Sequence, residues 1–486
     1  MNYLNTRPNI LFILTDQQRW DAISTVNSFY QTPNLAKIAN SGISFSNCYV
    51  NAPACIPSRL SLATGLYPHN IGVTVNKAHD LNPYFDTWMK HVRNNGYHTC
   101  LIGKSHLHRH QGDLRSRLPL VEKYGFDYID EICGPHASVN CDSNLTDFWK
   151  EKGVFEDYVR DMKERKKCQF PPSRPLPFSK NLYPDTYVKD NFCDFVNNYN
   201  LEKPWCAFLG FSGPHEPWDA PLEFVDLYDP NSLDPPRSIK LGRLGIKQSL
   251  INKRLKKAEH NISNGMDYLS LKLNYAASVS FIDALIGDVV NCLTINNSYK
   301  NTLIIFSSDH GEMNGDYGLL HKQCFFDGAV RVPLIVKPPG ADLVQGVNDT
   351  SLVSLMDIAS TIIDYSNVQN NDDYKIGFSN SLKNCVNFNA SATKVVDHSS
   401  TSREYLMSQY GDELMLLDSG FKFMLNKNFA CYGAFDRIED PMEQNNLVSD
   451  DGTLPKKLKR HFRELKENGL HLFLQTQNFS SKHFCD

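Results

Sequence analysis

Asn9-Ile10-Leu11-Phe12-Ile13-Leu14-Thr15-Asp16 is an unbroken apolar run that ends in an acid. Continuous apolar character, without the alternation of a half-buried strand, predicts a central parallel strand covered on both faces. The run is too short and too acid-terminated for a signal peptide. A second run of the same form, Thr302 to Ser308, also ends in an acid, Asp309, followed by His310 and Gly311. Tyr97 to Gly103 and Trp205 to Phe211 are further apolar strands, leading into Lys104-Ser105-His106 and Pro214-His215. Helices alternate with these strands. Thr32 to Ala39 reads as a capped helix and Tyr84 to Asn94 as an amphipathic one. Leu269 to Leu293 carries apolar residues at a period near 3.6. The alternation predicts an α/β fold with a large mixed, mostly parallel central sheet flanked by helices.

The far end of the chain differs. Glu404 to Cys431 contains short alternating runs split by Gly411-Asp412 and Ser419-Gly420, which predict antiparallel hairpins. Leu454 to Glu467 reads as an amphipathic helix packed on them. The expected division is residues 1–385 as a catalytic domain and 386–486 as a smaller α+β subdomain. Arg109 to Tyr187, with Pro171, Pro172, Pro175, Pro177 and Pro184, reads as a looped surface excursion. Arg237 to Lys257 is basic and reads as a surface insertion or lid.

Bulk properties narrow the function. The chain has 486 residues and a net charge of −4, which gives no reason to expect nucleic acid or an anionic membrane as partner. No apolar run is expected to reach membrane-span length. The 13 cysteines show no CxxC spacing. Without a signal peptide they read as reduced, mostly buried thiols of a cytoplasmic protein.

In open α/β sheets, ligands gather beyond the carboxyl ends of strands. Asp16 stands at such an end, as a metal ligand or a helix N-cap. Lys104 and His106, two apart on an extended segment, would point the same way. His215, Asp309 and His310 occupy equivalent positions, and His321-Lys322 follows on a loop. Asp16, Gln17, Asp309 and His310 together make a mainly oxygen donor set suited to a hard divalent cation. Cys55-Ile56-Pro57-Ser58-Arg59, continued to Thr64-Gly65, reads as a loop entering a short helix. Pro57 fits the first turn and Gly65 the stop. Arg59 lies one turn beyond Cys55 on the same face, and a helix start beside an arginine suits an anion. A metal and several cations around a nucleophile suit transfer of a sulfuryl or phosphoryl group.

These motifs resemble the sulfatase family of the alkaline phosphatase superfamily. The resemblance rests on Cys55-x-Pro57-x-Arg59 with Thr64-Gly65, which is highly specific. Gly103-Lys104-x-His106, Pro214-His215-x-Pro217, Ser308-Asp309-His310-Gly311, Arg331-Val332-Pro333 and the Asp440-Pro441 and Asn446-Leu447 tail support it in the right order. The resemblance implies an alkaline-phosphatase-like sheet and hydrolysis of a small-molecule or carbohydrate sulfate ester. It implies that a formylglycine-generating maturation enzyme converts Cys55 to formylglycine (3-oxoalanine), whose hydrate is the nucleophile. Asp16, Gln17, Asp309 and His310, with Cys55, match the ligands of one divalent cation, Ca2+ by default with Mg2+ or Mn2+ as alternatives. Arg59 matches the residue beside the diol. Lys104 and Lys322 match residues that hold sulfate oxygens, His106 the residue that helps the diol collapse, and His215 the proton donor to the leaving alcohol. Asp16-Gln17 stands where many sulfatases have Asp-Asp, a pattern similar to choline-sulfatase-like enzymes and phosphonate monoester hydrolases. Phosphonate monoester or phosphodiester hydrolysis, or an unmodified non-catalytic relative, are the alternative expectations, and an oligomer is compatible with either. Ser105, where an aromatic is common, would open space beside the leaving group. Trp218 would line that space or serve as packing.

Overall fold

The computed structural model describes residues 7–168, 173–233, 236–237, 267–340, 346–367, 376–386, 403–449 and 451–477, with the backbone alone at 472 and 474–477. In chain order the strands are β1 (Asn9–Thr15), β2 (Ile43–Tyr49), β3 (His98–Gly103), β4 (Gly112–Asp113), β5 (Tyr128–Glu131), β6 (Cys141–Asp142), β7 (Trp205–Gly210) and β8 (Thr302–Ser308). They continue as β9 (Arg331–Val332), β10 (Leu334–Lys337), β11 (Val347–Ser354), β12 (Leu406–Tyr410), β13 (Glu413–Leu417), β14 (Phe421–Leu425) and β15 (Cys431–Asp436). The main sheet has nine strands in the order β11-β2-β10-β8-β1-β7-β3-β5, with β9 on β2. β1 lies between β7 and β8, parallel to both, while β10 runs antiparallel to β8 and β2.

The opening run is therefore the central strand. Its side chains alternate between two cores, as pleating requires. Ile10, Phe12 and Leu14 join one cluster with Leu60, Leu62 and Ile362. Leu11 and Ile13 join the other with Phe192, Ile282 and Ile286. Both faces are covered by helices, which is why the sequence needs no polar face on β1.

Several expectations change. The helix expected from Tyr84 starts at Trp88, with Thr87 Oγ1 accepting from Lys90 N, and Tyr84 is 89% exposed. The Pro33–Asn40 helix is capped from another element: Asp283 accepts the N–H groups of Asn34 and Leu35, while Thr32 Oγ1 makes no cap bond. Pro171 and Pro172 lie outside the described residues, and residues 109–168 and 173–187 are not wholly a surface excursion. They contain helices Asn144–Glu151, Phe155–Arg165 and the start of Pro184–Asn198, and they bury Trp149, Tyr158 and Met162 in the second core. Local proline density gave no view of that tertiary burial. The helix Tyr268–Ile295 is long and apolar enough to cross a membrane by length and composition, contrary to expectation. Tyr275, Val279, Ile282, Ile286, Val289 and Leu293 on it are buried in the protein. All twelve described cysteines are free thiols, ten of them buried. Of the basic segment Arg237 to Lys257, only Arg237 is among the described residues, and the expected boundary at 385/386 borders residues 387–402, outside them.

The predicted hairpins form a four-stranded antiparallel sheet, β12-β13-β14-β15, and the closing helix runs from Lys456 to Gln477. Lys422 on β14 ties this sheet to the main body. It is fully buried, pairs with Asp327 and Glu443, and donates to Phe325 O at 3.1 Å. Removing one partner of a buried ion cluster strands the others. Lys422→Met is expected to lower the unfolding free energy by about 3 kcal/mol in urea titration. A loss below about 1 kcal/mol would mean the cluster carries no net stabilisation.

Candidate active site

The register of the sheet assembles the site. Thr15 pairs with Ser308, and Gly103 with Gly210, so four strands end at one edge. Asp309 N donates to Thr15 O at 3.1 Å, setting Asp309 beside Asp16. Lys104 N donates to Gly210 O at 2.8 Å, which brings the next strand's first loop residue in. That approach requires glycine: a Cβ on Gly210 would lie 2.3 Å from Lys104 O, and one on Gly103 (φ +95°) 2.1 Å from Gly210 O. Gln17 has φ +72°, an uncommon left-handed conformation for a side-chain-bearing residue. It is held there by Gln17 N donating to Asp309 Oδ1 at 3.1 Å and by Tyr275, whose hydroxyl donates to Gln17 O at 2.9 Å.

The helix at Cys55 runs from Cys55 to Thr64 and ends on Gly65, whose φ of +67° supplies the left-handed stop. Ala54 is its extended N-cap, and Asn76 Oδ1 accepts from Ile56 N at 2.9 Å. Cys55 is thus presented at the positive end of a helix. One turn on, Arg59 is buried, but it does not stand free for an anion. Its Nε donates to Asp309 Oδ2 at 2.6 Å, Nη2 to Asp16 Oδ2 at 3.1 Å and Nη1 to Lys104 O at 2.8 Å. Lys104 Nζ adds a 2.6 Å contact to Asp16 Oδ2.

Each aspartate therefore has its Oδ2 held by cations and its Oδ1 turned toward one centre. His310 Nε2 lies 3.6 Å from Asp16 Oδ1, 3.5 Å from Asp309 Oδ1 and 3.1 Å from Cys55 Sγ. Asp16, Cys55, Asp309 and His310 each offer a donor atom within 4.8 Å of the others, and all four are buried. His310 Nδ1 meets Gly311 O at 2.9 Å, so an N–H there leaves the Nε2 lone pair for the centre. Two carboxylate oxygens and one imidazole gathered on the side chain at position 55 fit a divalent cation.

The electrostatics favour an anion at position 55. Burial alone would raise the Cys55 thiol, but Lys322 and His310, with hydrogen bonds to His106 and His215, hold it well below its ordinary value. Burial likewise opposes the ionised form of Asp16, and Lys104, His215 and Arg59 overcome that and keep it an anion. Burial lowers His106 to about 3, so this imidazole is neutral at pH 7. Its φ is +59°, so His106 reaches Cys55 by a left-handed turn and not by strand alternation. His215 sits on the loop after β7. Its Nδ1 meets Glu216 O at 2.7 Å and lies 3.3 Å from Glu216 Oε2. Asp185 braces that loop by accepting from Ser212 N at 2.6 Å and Gly213 N at 2.9 Å.

Three acids at the site were not singled out in the sequence. Gln17 Nε2 donates to Glu216 Oε2 at 2.7 Å and to Glu312 Oε2 at 2.6 Å, while Gln17 Oε1 accepts from Lys322 Nζ. Both glutamates lie within three residues of a marked histidine or aspartate, the one local signal they carry. The third, Glu131, binds the hydroxyl and N–H of Ser105, so Ser105 holds a carboxylate and opens no space. Trp218 is packing: it is fully buried, donates to Pro214 O at 3.1 Å and stacks on His321.

Residues 8–368 match the Sulfatase family model, and residues 315–468 match that of the N-sulphoglucosamine sulphohydrolase C-terminal region. An arylsulfatase of Clostridium perfringens is 28% identical over 460 residues, covering 92% of this chain and 91% of that protein. A choline-sulfatase of Rhizobium meliloti is 26% identical over 382 residues, 74% of this chain and 68% of that protein. Among solved structures, the phosphonate monoester hydrolase of Agrobacterium radiobacter superposes with a TM-score of 0.76 at 20% identity, covering 98% of this chain and 96% of that one, and so shares the fold. The family match spans most of the chain, including every strand end that builds the site, and the chain belongs to the sulfatase family, the hydrolases of sulfuric esters.

Proposed function

We propose that Cys55 is the precursor of a formylglycine and that its hydrate is the nucleophile with which this chain cleaves sulfate esters. The observation that carries the reading is the position of Cys55 Sγ, 3.1 Å from His310 Nε2 and 3.8 Å from Asp16 Oδ1, at a helix start. A reactive cysteine needs no such donor set, whereas a side chain that becomes a diol does. A maturation enzyme would replace the thiol by an aldehyde, and water adds across it to give two geminal hydroxyls. Asp16, Asp309 and His310, with the residue at 55, would hold one divalent cation, and Gln17 would join them only by exchanging the bond its Oε1 accepts from Lys322 Nζ; Ca2+ suits hard oxygen donors. When bound, that ion withdraws charge from the sulfate and the nucleophile.

The protein's own groups do the rest. Lys104 and Lys322 place positive charge where the sulfate oxygens gather. One diol hydroxyl, having given up its proton to water, attacks sulfur, the S–O bond to the alcohol breaks, and His215 gives that oxygen a proton. The product is a sulfate hemiester on residue 55. His106, hydrogen-bonded to the side chain at position 55, would take the proton of the second hydroxyl. The aldehyde re-forms, the C–O bond to sulfate breaks and sulfate leaves. Dividing the reaction this way avoids a direct attack of water on sulfur. Arg59 acts through the aspartates it holds. The names of the relatives, an arylsulfatase and a choline-sulfatase, support a small organic alcohol as the leaving group.

A sulfate monoester and a phosphodiester each carry one negative charge, so the same cations serve both. The reading predicts that kcat/KM for an aryl sulfate exceeds that for the matching aryl phosphodiester. Parallel assays on one preparation check this, and a clear preference for the diester would move the chain to diester or phosphonate chemistry.

A further inference from the structure

A second group of ligand-type side chains lies beside the active site and plays no part in the chemistry above. His108 and His110 lie on the loop after β3, and Glu131 ends β5. β3 and β5 are parallel neighbours with Gly103 paired to Glu131, so the sheet itself brings the three together. His108 Nε2 is 2.6 Å from Glu131 Oε2, and His110 Nε2 is 3.4 Å from Glu131 Oε1. One donor atom of each lies within 4.8 Å of the others. The side chains of His108, His110 and Glu131 are 0%, 4% and 4% exposed.

The surroundings orient these donors. His108 Nδ1 meets Arg109 O at 3.1 Å, so both ring nitrogens face oxygens, and Nε2 donates a proton to Glu131 Oε2 that a metal ion would replace. Ser105 N donates to Glu131 Oε1 at 3.2 Å, and the Ser105 hydroxyl donates to the same oxygen. Ligating imidazoles and carboxylates are commonly fixed by such outer contacts. A fourth group is left over. The ring of His106 stacks on His110 with centroids 4.9 Å apart, and its Nδ1 is buried with no hydrogen-bond partner.

We propose that His108, His110 and Glu131 form a second metal site that takes a borderline divalent ion of the zinc class. Two imidazole nitrogens and one carboxylate oxygen, with a position left for water, are a donor set zinc accepts. Hard Ca2+ or Mg2+ would favour more oxygens, which sets this site apart from the one at Asp16 and Asp309. An ion here joins two imidazoles to one buried carboxylate and offers its water to the neighbourhood of the orphaned His106 Nδ1. It thereby fixes the ring packed against Cys55. The alternative is an ion pair between His108 and Glu131 with no metal.

The test is metal retention by the full-length protein. The chain is stripped with chelator, then dialysed against excess Ca2+ with Zn2+ supplied in slight excess over protein, and its metals are counted. About one zinc per chain is expected to remain in the wild type. His110→Gln and Glu131→Gln are each expected to lose it while keeping the wild-type circular dichroism spectrum. Cobalt substituted for zinc in the wild type is expected to show visible bands without thiolate-to-metal charge transfer, a readout independent of whether the variants fold. Failure to retain zinc overturns the site, as does retention unchanged in both folded variants. A thiolate band would overturn it too, by placing the ion on cysteine. None of these readouts depends on sulfate-ester turnover.

Discussion

Cys55→Ser is expected to lower kcat on an aryl sulfate by about 10⁴-fold or more, and to leave one sulfate attached to the chain. The reason lies in oxygen counting. Serine supplies one hydroxyl at the place where the hydrate supplies two. That hydroxyl, surrounded by Lys104, Lys322, His106 and His215, can still attack sulfur once. It cannot expel sulfate by forming an aldehyde, because it has no second oxygen. The variant keeps the fold's contacts, since Cys55 contributes little bulk and Ser58 and Arg59 hold the helix on Asp309. A single-turnover burst of alcohol followed by arrest, with intact-mass detection of the sulfated serine, checks both halves. Full turnover by the serine variant would refute the diol mechanism.

Asp309→Asn is the second large effect. Asp309 serves two groups with two oxygens: Oδ2 pairs with Arg59 Nε at 2.6 Å, and Oδ1 faces His310 Nε2 at 3.5 Å. The amide removes a negative charge from the cation's donor set and leaves the fully buried Arg59 with Asp16 as its remaining carboxylate partner. The expected result is a loss of about 10³-fold in kcat that added Ca2+ does not restore, together with about 2 kcal/mol of stability. Calcium titration followed by turnover and by urea unfolding separates the two. Activity within tenfold of wild type would mean that Asp309 braces Arg59 and holds no cation.

Much of the frame was legible because it is written in local pattern. A strand buried on both faces must be apolar throughout, so Asn9 to Leu14 and Thr302 to Ser308 announced the middle of the sheet. A residue following such a strand sits at the sheet's edge, so Asp16 and Asp309 could be named. Cys55, Pro57 and Gly65 carried the start and stop of a helix in ten residues, and the structure places them so. What was not legible depends on long-range contact. By its own segment Arg59 reads as a receptor for an anion, whereas its guanidinium is directed at Asp16, Asp309 and the Lys104 carbonyl. Nothing in its own segment reveals those partners. Glu216 and Glu312 converge on Gln17 from loops 96 residues apart, and only the fold joins them. His106 was placed by strand alternation, yet it arrives through a positive φ that no periodicity encodes. The prolines of residues 109–187 read as surface, but Trp149 and Tyr158 are core because the helices that carry them cover the sheet.

The central claim is that residue 55 acts as an aldehyde hydrate. Protein made in cells that contain a formylglycine-generating enzyme should be digested and the peptide containing residue 55 weighed. The account predicts a peptide with the mass of an aldehyde in place of the thiol, in a fraction that tracks sulfate-ester turnover from preparation to preparation. An active preparation in which that peptide is found only as intact cysteine would contradict it.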